Sequence, residues 1–406
     1  MTKKTFKIVT LGCRTNQYET QAYSDQLKEM GYALAQEGEA DLCIVNTCTV
    51  TESADSSSRH AIRQLKRENP NAKVVVTGCY AERKPDEVKA AGAELVVPNS
   101  KKESLIKIAL PEEEAPEFKI NLFDAHTRAF VKVQDGCNSY CTYCIIPYVR
   151  GRSRSRAREE IIMEVKGLIA NGFKEIVLTG INIGDYDGGG GDTLANLVRE
   201  VDAIEGLKRL RLSSIDPDEV NDDLMSAIID GKHTCPSMHI VLQSGSNAVL
   251  KRMNRKYTRQ IFMQTIDKLR LARPDFTFTT DIIVGFPGET EADFQETLDV
   301  MQETKFVAVH MFPYSKRPRT RAALYPDQVD ADTIKIRKNE VLRLKEQYAY
   351  QERAKYVGKT VSVLTENDNR GHTDNFLEVV FNRPVVPNTL LDVYLESNSP
   401  QGLIAL

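Results

Sequence analysis

Eight cysteines are spread through a chain of 406 residues, and three of them fall close together as Cys137-Asn-Ser-Tyr-Cys141-Thr-Tyr-Cys144. Gaps of three and then two residues put three thiolates on one short loop. On a cubane iron–sulfur cluster such a loop leaves one iron without a protein ligand, open to chelate a substrate, whereas the common ferredoxin run supplies a fourth cysteine. Zinc asks for a fourth Cys or His close by, and none is near in the sequence. The spacing favours an open-iron [4Fe–4S] site over zinc or chance clustering. A second set, Cys13, Cys48 and Cys79, is spread over more than sixty residues and needs a fold to bring it together.

The elements that position these residues alternate. Strands are predicted at 6–11, 42–45, 73–77 and 94–97, with helices at 18–30 and 53–66, the latter capped by Ser53. Alternation of this kind implies an α/β fold with a doubly wound parallel sheet. Cys13, Cys48 and Cys79 each lie just past the carboxyl end of one of its first three predicted strands, the edge where ligands of open α/β sheets gather. Cys43 lies inside an apolar strand and Cys235 beside Pro236, so both read as packing residues. The acidic segment 111–117 (PEEEAPE) reads as a linker. Six further strands, at 130–134, 175–179, 209–213, 238–243, 277–284 and 307–313, alternate with helices such as 159–170 and 259–271. They predict a partial (β/α)6 barrel with its site at the strand carboxyl ends. A charged helix at 333–355 leads into short strands at 360–364, 377–380 and 390–395, a small all-β module. The expected domains are 1–117, 118–355 and 356–406.

Charge narrows the classes of partner. Lys and Arg number 54 against 57 Asp and Glu, a net charge of −3, which excludes a uniformly basic nucleic-acid binder. No apolar run approaches the roughly 20 residues of a membrane span, and MTKKTFKIVTLGC lacks a signal-peptide core. A cytoplasmic location is expected, where cysteines serve as ligands more often than as disulfides. Position restores what the sum hides. Arg150, Arg152, Arg154, Arg156 and Arg158 directly follow the cysteine loop, and Lys316, Arg317, Arg319 and Arg321 follow the sixth barrel strand. Two basic runs at one barrel mouth form a rim on which an RNA backbone can rest. The last module is acidic, and its His372 and Phe376 offer a stacking surface.

The cysteine loop, with Tyr143 immediately before its last cysteine, resembles that of the radical S-adenosylmethionine (SAM) superfamily. Leu11-Gly-Cys-Arg-Thr-Asn-Gln-Tyr-Glu19, Asn46-Thr-Cys48 and Gly78-Cys79 resemble the signatures of the methylthiotransferase family within it, and the C-terminal module is similar to the TRAM module of that family. The resemblance covers nearly the whole chain. It implies two [4Fe–4S] clusters, one on Cys13, Cys48 and Cys79 and one on Cys137, Cys141 and Cys144, and SAM as cofactor. Two SAM molecules are then used per turnover: one methylates a sulfide, the other yields the radical that removes the hydrogen from C2 of a modified adenine, where the methylsulfide is delivered. Tyr143, Gly180 and Asn182, Arg211 and Ser213, Gln243 and Ser244, and Asp281 and Gly285 are the expected SAM contacts at successive strand ends. The motifs look most like the MtaB-type branch, which methylthiolates N6-threonylcarbamoyladenosine at position 37 of tRNA. Here Arg14-Thr15 replaces the more usual Lys-Val, and Arg319 and Arg321 stand where Gly and Pro are typical. Implied partners are a tRNA anticodon loop, a flavodoxin- or ferredoxin-type electron donor and a sulfur donor of unknown identity; a monomer is expected. The alternatives are action on isopentenyladenosine in tRNA or on a ribosomal-protein side chain and, more remotely, a non-enzymatic iron–sulfur electron carrier.

Overall fold

The computed structural model describes residues 4–35, 39–123 and 127–406. Its first sheet contains β1 (Thr5–Thr10), β2 (Ala33–Leu34), β3 (Leu42–Thr47), β4 (Lys73–Gly78) and β5 (Leu95–Val96), all parallel in the order β2-β1-β3-β4-β5. β3 is buried along its whole length, as a central parallel strand covered on both faces must be. Chain order reverses between β1 and β3, the switch point at which ligands of open sheets bind. The helix Glu52–Glu68 is capped by Thr51, whose hydroxyl accepts from the Ala54 amide. Ser53, the expected cap, falls inside the first turn, because Thr51 holds the extended conformation that a cap requires.

The middle of the chain supplies β6 (Arg128–Lys132), a short antiparallel pair β7 (Gln134–Asp135) and β8 (Arg154–Ser155), then β9 (Glu175–Thr179), β10 (Arg209–Leu212), β11 (Ser237–His239), β12 (Thr277–Val284) and β13 (Ala308–Pro313). β6, β9 and β10 form one parallel sheet and β11, β12 and β13 another. Single bridges, Leu210 to Thr234 and Ile215 to Ile240, join the two. The result is a six-stranded parallel arc, open between its edge strands β6 and β13. The helix Arg14–Glu29 from the first sheet packs beside β6, and its Tyr18 and Ala22 join the hydrophobic core of the arc.

The long helix Ala331–Ala354 leads into a closed five-stranded barrel of β14 (Thr360–Thr365), β15 (Arg370–Thr373), β16 (Glu378–Phe381), β17 (Leu390–Ser399) and β18 (Gly402–Ala405). β15 and β18 were not legible as strands: β15 is four residues with a central glycine, and β18 pairs with β16 far back in the chain. His372 and Phe376 do stack, with centroids 4.8 Å apart, but not as an open surface. Arg128 and Arg211 of the arc cover Phe376 at 5.3 and 5.2 Å, so the pair belongs to the joint between barrel and arc.

Candidate active site between two cysteine triads

Cys13, Cys48 and Cys79 follow β1, β3 and β4, and their loops are close-packed. A Cβ on Gly12, whose φ is +99°, would lie 3.0 Å from the Cys48 sulfur. Asn16 staples the loops together: its amide donates to the Leu11 and Thr47 carbonyls at 2.6 and 3.2 Å. Cys13 is exposed, Cys48 half-buried and Cys79 buried. Burial pushes the Cys48 thiol up to about 12 and raises that of Cys79, while Arg150 acts against the rise at Cys79. The Arg150 guanidinium donates to the Cys79 sulfur at 3.3 Å.

Arg150 therefore does not belong to an RNA rim. It is buried, tied to Asn16, Glu19 at 3.1 Å and Asp135 at 2.8 Å. Lys102 contacts Glu19 at 2.6 Å and also pairs with Asp135, and Lys132 lies 3.8 Å from Glu19. Three buried cations thus face two buried carboxylates at the joint between the first sheet and the arc, and Lys132 also pairs with the exposed Glu103 at 3.0 Å. Against the desolvation that favours the neutral acid, Arg150 and Lys102 hold Glu19 at about 2 and keep Asp135 well below the carboxylate range. Arg150 thus offsets part of the desolvation cost of a Cys79 thiolate, the form in which cysteine binds metal.

The second triad hangs from the β7–β8 pair. Gly136 has φ +77°, and a Cβ there would run into the Arg152 carbonyl, so only glycine lets the chain pinch closed before Cys137. The Thr142 amide donates to the Met253 carbonyl at 2.9 Å and the Cys144 amide to the Cys141 carbonyl at 3.0 Å. Arg255, unremarked in the sequence, donates to the Cys141 sulfur at 3.0 Å and pairs with Asp216. Burial raises the Cys137 and Cys144 thiols. Each triad thus has one largely buried arginine hydrogen-bonded to one of its sulfurs. Among the described residues no His, Cys, Asp and Glu group converges on a single metal ion. The irons of a cubane are themselves spread apart, and both donor sets, three thiols with an arginine at their back, fit a cluster rather than one ion.

A cleft of about 180 Å³ lies between the triads, lined by Val50, Thr51, Tyr143, Cys144, Gln243, Asp281, Phe312 and Tyr314 among others. Val50 and Thr51 come from the loop after Cys48, and Cys144 closes the opposite triad. The Glu52 amide donating to Ser315 at 3.2 Å and the Arg317–Asp55 pair at 2.9 Å stitch the first sheet to the end of β13.

Of the expected SAM contacts, Tyr143, Gln243 and Asp281 line this cleft. Gln243 is buried in the left-handed region, φ +61°, and its Oε1 has no partner. His239 approaches Asp281 at 3.3 Å and, with His310, holds its carboxyl low against desolvation. Gly180, Asn182 and Ser213 stand at the neighbouring strand ends. Gln134 takes the amides of Ile181 and Asn182, each at 3.0 Å, and Ser213 Oγ is buried without a partner. Ser244 is packed against Thr297. Gly285 is a turn, φ +74°, lying against Ile334. Arg211 is not at the mouth: Glu175 at 2.7 Å and the Thr373 carbonyl at 2.9 Å hold it at the foot of the arc.

The basic rim is correspondingly smaller. Arg317 is buried on Asp55 and the Thr49 carbonyl, and Arg156 is spent on Glu164 at 2.8 Å and on Tyr18. Arg152, Arg154, Lys316, Arg319 and Arg321 remain exposed. Arg319 lies 6.0 Å over exposed Tyr148, which meets exposed Tyr140 edge-on. The sequence does not single out these tyrosines, because an aromatic inside or just after a cysteine motif carries no mark of exposure. No helix among the described residues is long and apolar enough to cross a membrane.

Known proteins agree with this architecture. The Radical SAM superfamily model matches residues 131–301, and the Uncharacterized protein family UPF0004 model matches 5–97. The threonylcarbamoyladenosine tRNA methylthiotransferase MtaB of Chlamydia pneumoniae is 49% identical over 99% of this chain and 98% of its own length. The Bacillus subtilis protein of the same name is 41% identical over 92% of this chain and 89% of its own. A tRNA-2-methylthio-N(6)-dimethylallyladenosine synthase of Clostridium novyi is 36% identical over 90% and 86%. Among solved structures, the radical SAM methyltransferase TsrM of Kitasatospora setae shares the fold, with a TM-score of 0.60 at 15% identity over 79% of this chain and 77% of that one. With Cys144 and the loop after Cys48 lining one cleft and full-length relatives of this kind, the chain belongs to the radical SAM tRNA methylthiotransferase family.

Proposed function

We propose that the protein converts N6-threonylcarbamoyladenosine at position 37 of tRNA to its 2-methylthio derivative, using SAM and two [4Fe–4S] clusters. The observation that carries this reading is the cleft itself, bounded by Cys144 on one side and by the loop following Cys48 on the other. Cys13, Cys48 and Cys79 would hold the auxiliary cluster, and Cys137, Cys141 and Cys144 the one that binds SAM. When bound, these groups supply reductive cleavage of SAM and the sulfur that is methylated and transferred to C2.

The chain's own residues set the stage for that chemistry. Arg150 and Arg255 stabilise the sulfur of one ligand in each triad by charge-assisted hydrogen bonds. The Arg317–Asp55 and Glu52–Ser315 contacts hold the two walls together, fixing the reacting groups within reach of each other and keeping water out. Tyr143, Gln243, Asp281, Gly180, Asn182 and Ser213 are assigned to SAM. Arg152, Arg154, Lys316, Arg319 and Arg321 would receive phosphates, while Tyr140 and Tyr148 offer faces for unstacked anticodon-loop bases. Position 37 lies in a single-stranded loop, so extruding its base costs little pairing energy. A flavodoxin- or ferredoxin-type protein is the proposed reductant, and the working unit is a monomer in the cytoplasm.

The test compares two variants with purified tRNA, SAM and dithionite, with nucleosides read by mass spectrometry. Cys48→Ala is expected to release 5′-deoxyadenosine but form no methylthio product, and Cys141→Ala to do neither. Full methylthiolation by Cys48→Ala would overturn the role of the first triad. Transfer only to isopentenyladenosine or to a ribosomal protein would overturn the substrate.

A further inference from the structure

Arg14 has no assigned task, yet its position is unusual. It opens the helix Arg14–Glu29 and is delivered by the first sheet, not by any strand of the arc. Its guanidinium lies 5.5 Å over the ring of Phe130 on β6. The charges that act on it are Arg128, Arg211, Glu175 and Asp281, and it acts in turn on His310 of β13. Arg14 therefore reaches in at the opening between β6 and β13.

That cation lacks a counter-ion. Among the described residues no carboxylate lies within ion-pair distance of it. The two that it feels are engaged elsewhere: Glu175 with Arg211 at 2.7 Å, and Asp281 with His239 at 3.3 Å. Two of its near charges are arginines like itself. A half-buried cation among like charges is costly unless something negative arrives. Asp281 and Gln243 also line the cleft between the triads, and the Gln243 side chain, 8% exposed, has an unpartnered oxygen. A ligand seated in the cleft can thus extend past Asp281 toward Arg14.

The substrate read above has a group of the required kind. The threonylcarbamoyl chain ends in a carboxylate, remote from the adenine ring, whereas an isopentenyl chain is apolar and offers a cation nothing. We propose that Arg14 is a specificity-determining residue that receives the carboxylate of the threonylcarbamoyl chain. The inference rests on the substrate reading of the preceding section. The other carboxylate available to the site is that of SAM, and the experiment separates the two sources.

Cluster-loaded full-length protein is titrated with one tRNA in two forms, carrying threonylcarbamoyladenosine or unmodified adenosine at position 37, and separately with SAM. The wild type is expected to prefer the modified tRNA by roughly 10- to 100-fold, the worth of a hydrogen bond to a charged group. Arg14→Gln should reduce that preference to within about twofold, and Arg14→Lys should recover part of it, since the charge is kept but the fork is lost. Binding of the unmodified tRNA reports whether the variants are folded. A preference that survives Arg14→Gln overturns the inference, as does a loss confined to SAM affinity. A wild type that shows no preference and no product on the modified tRNA overturns the substrate reading itself.

Discussion

Two arginines and one glutamate show how single side chains set the chemistry. Arg150 and Arg255 occupy equivalent roles behind different triads, Arg150 held by Glu19 and by an Asp135 it shares with Lys102, and Arg255 by Asp216. Glu219 is the contrasting case. It accepts from Asn182 at 2.9 Å, its other oxygen is unpartnered, and burial together with Asp216 pushes its carboxyl up to about 7. In the unfolded chain the same group ionises near 4.5. The stability tied to its proton is therefore complete below pH 4.5 and lost as pH rises through about 7. Glu219→Gln, which mimics the protonated form, should raise the melting temperature by on the order of 2 °C at pH 8 and change little at pH 5. Thermal melts at the two pH values check this. At this scale the cysteines were legible in the sequence because spacing alone marks a cluster loop. Arg255 and Arg14 were not, since the partners that define them lie more than a hundred residues away.

Elements explain why so much of the fold could be read in advance. Strand β12 coincides with its expected range, because a run rich in β-branched residues, bounded by Pro274 and a Gly-Phe-Pro turn, permits little else. Short strands such as β2, β15 and β18 owe their existence to partners rather than to their own residues, and no local pattern announces them. The β7–β8 pair is another such case, yet it positions the whole second triad. Gly136→Ala should be as damaging as loss of a ligand: the added methyl group meets the Arg152 carbonyl and the loop cannot close. Iron per chain is expected to fall by about half, with SAM cleavage lost and the first triad still loaded. Iron analysis beside a cleavage assay checks both parts.

For the whole molecule, the near-neutral charge read from composition is distributed inside as well as outside. Several arginines of the expected rim turned inward, Arg150 and Arg317 to join the first sheet to the arc and Arg156 to fasten Tyr18. An Arg-X-Arg run suggests one shared face, as in an extended strand, but here Arg150 ends the short helix Ile146–Val149, Gly151 turns the chain at φ +81°, and only Arg154–Ser155 is strand. Arg209 and Arg211 perform a similar task at the foot, donating to carbonyls of Ser362, His372 and Thr373 in the C-terminal barrel. Arg150→Met should cost about 3–5 kcal/mol by stranding buried carboxylates, seen as an earlier urea midpoint.

The joint beside Cys79 has a further meaning for how the protein matures. Arg150, Lys102 and Lys132 meet Glu19 and Asp135 there, and Lys132 also reaches Glu103 at 3.0 Å, so one shared network of buried charge joins the first sheet to the arc. A cluster held on the thiolates of the first triad would add negative charge beside Arg150, which already donates to the Cys79 sulfur. Cluster loading and the strength of this joint would then be one linked equilibrium, and the cofactor would work as a rivet between the two halves.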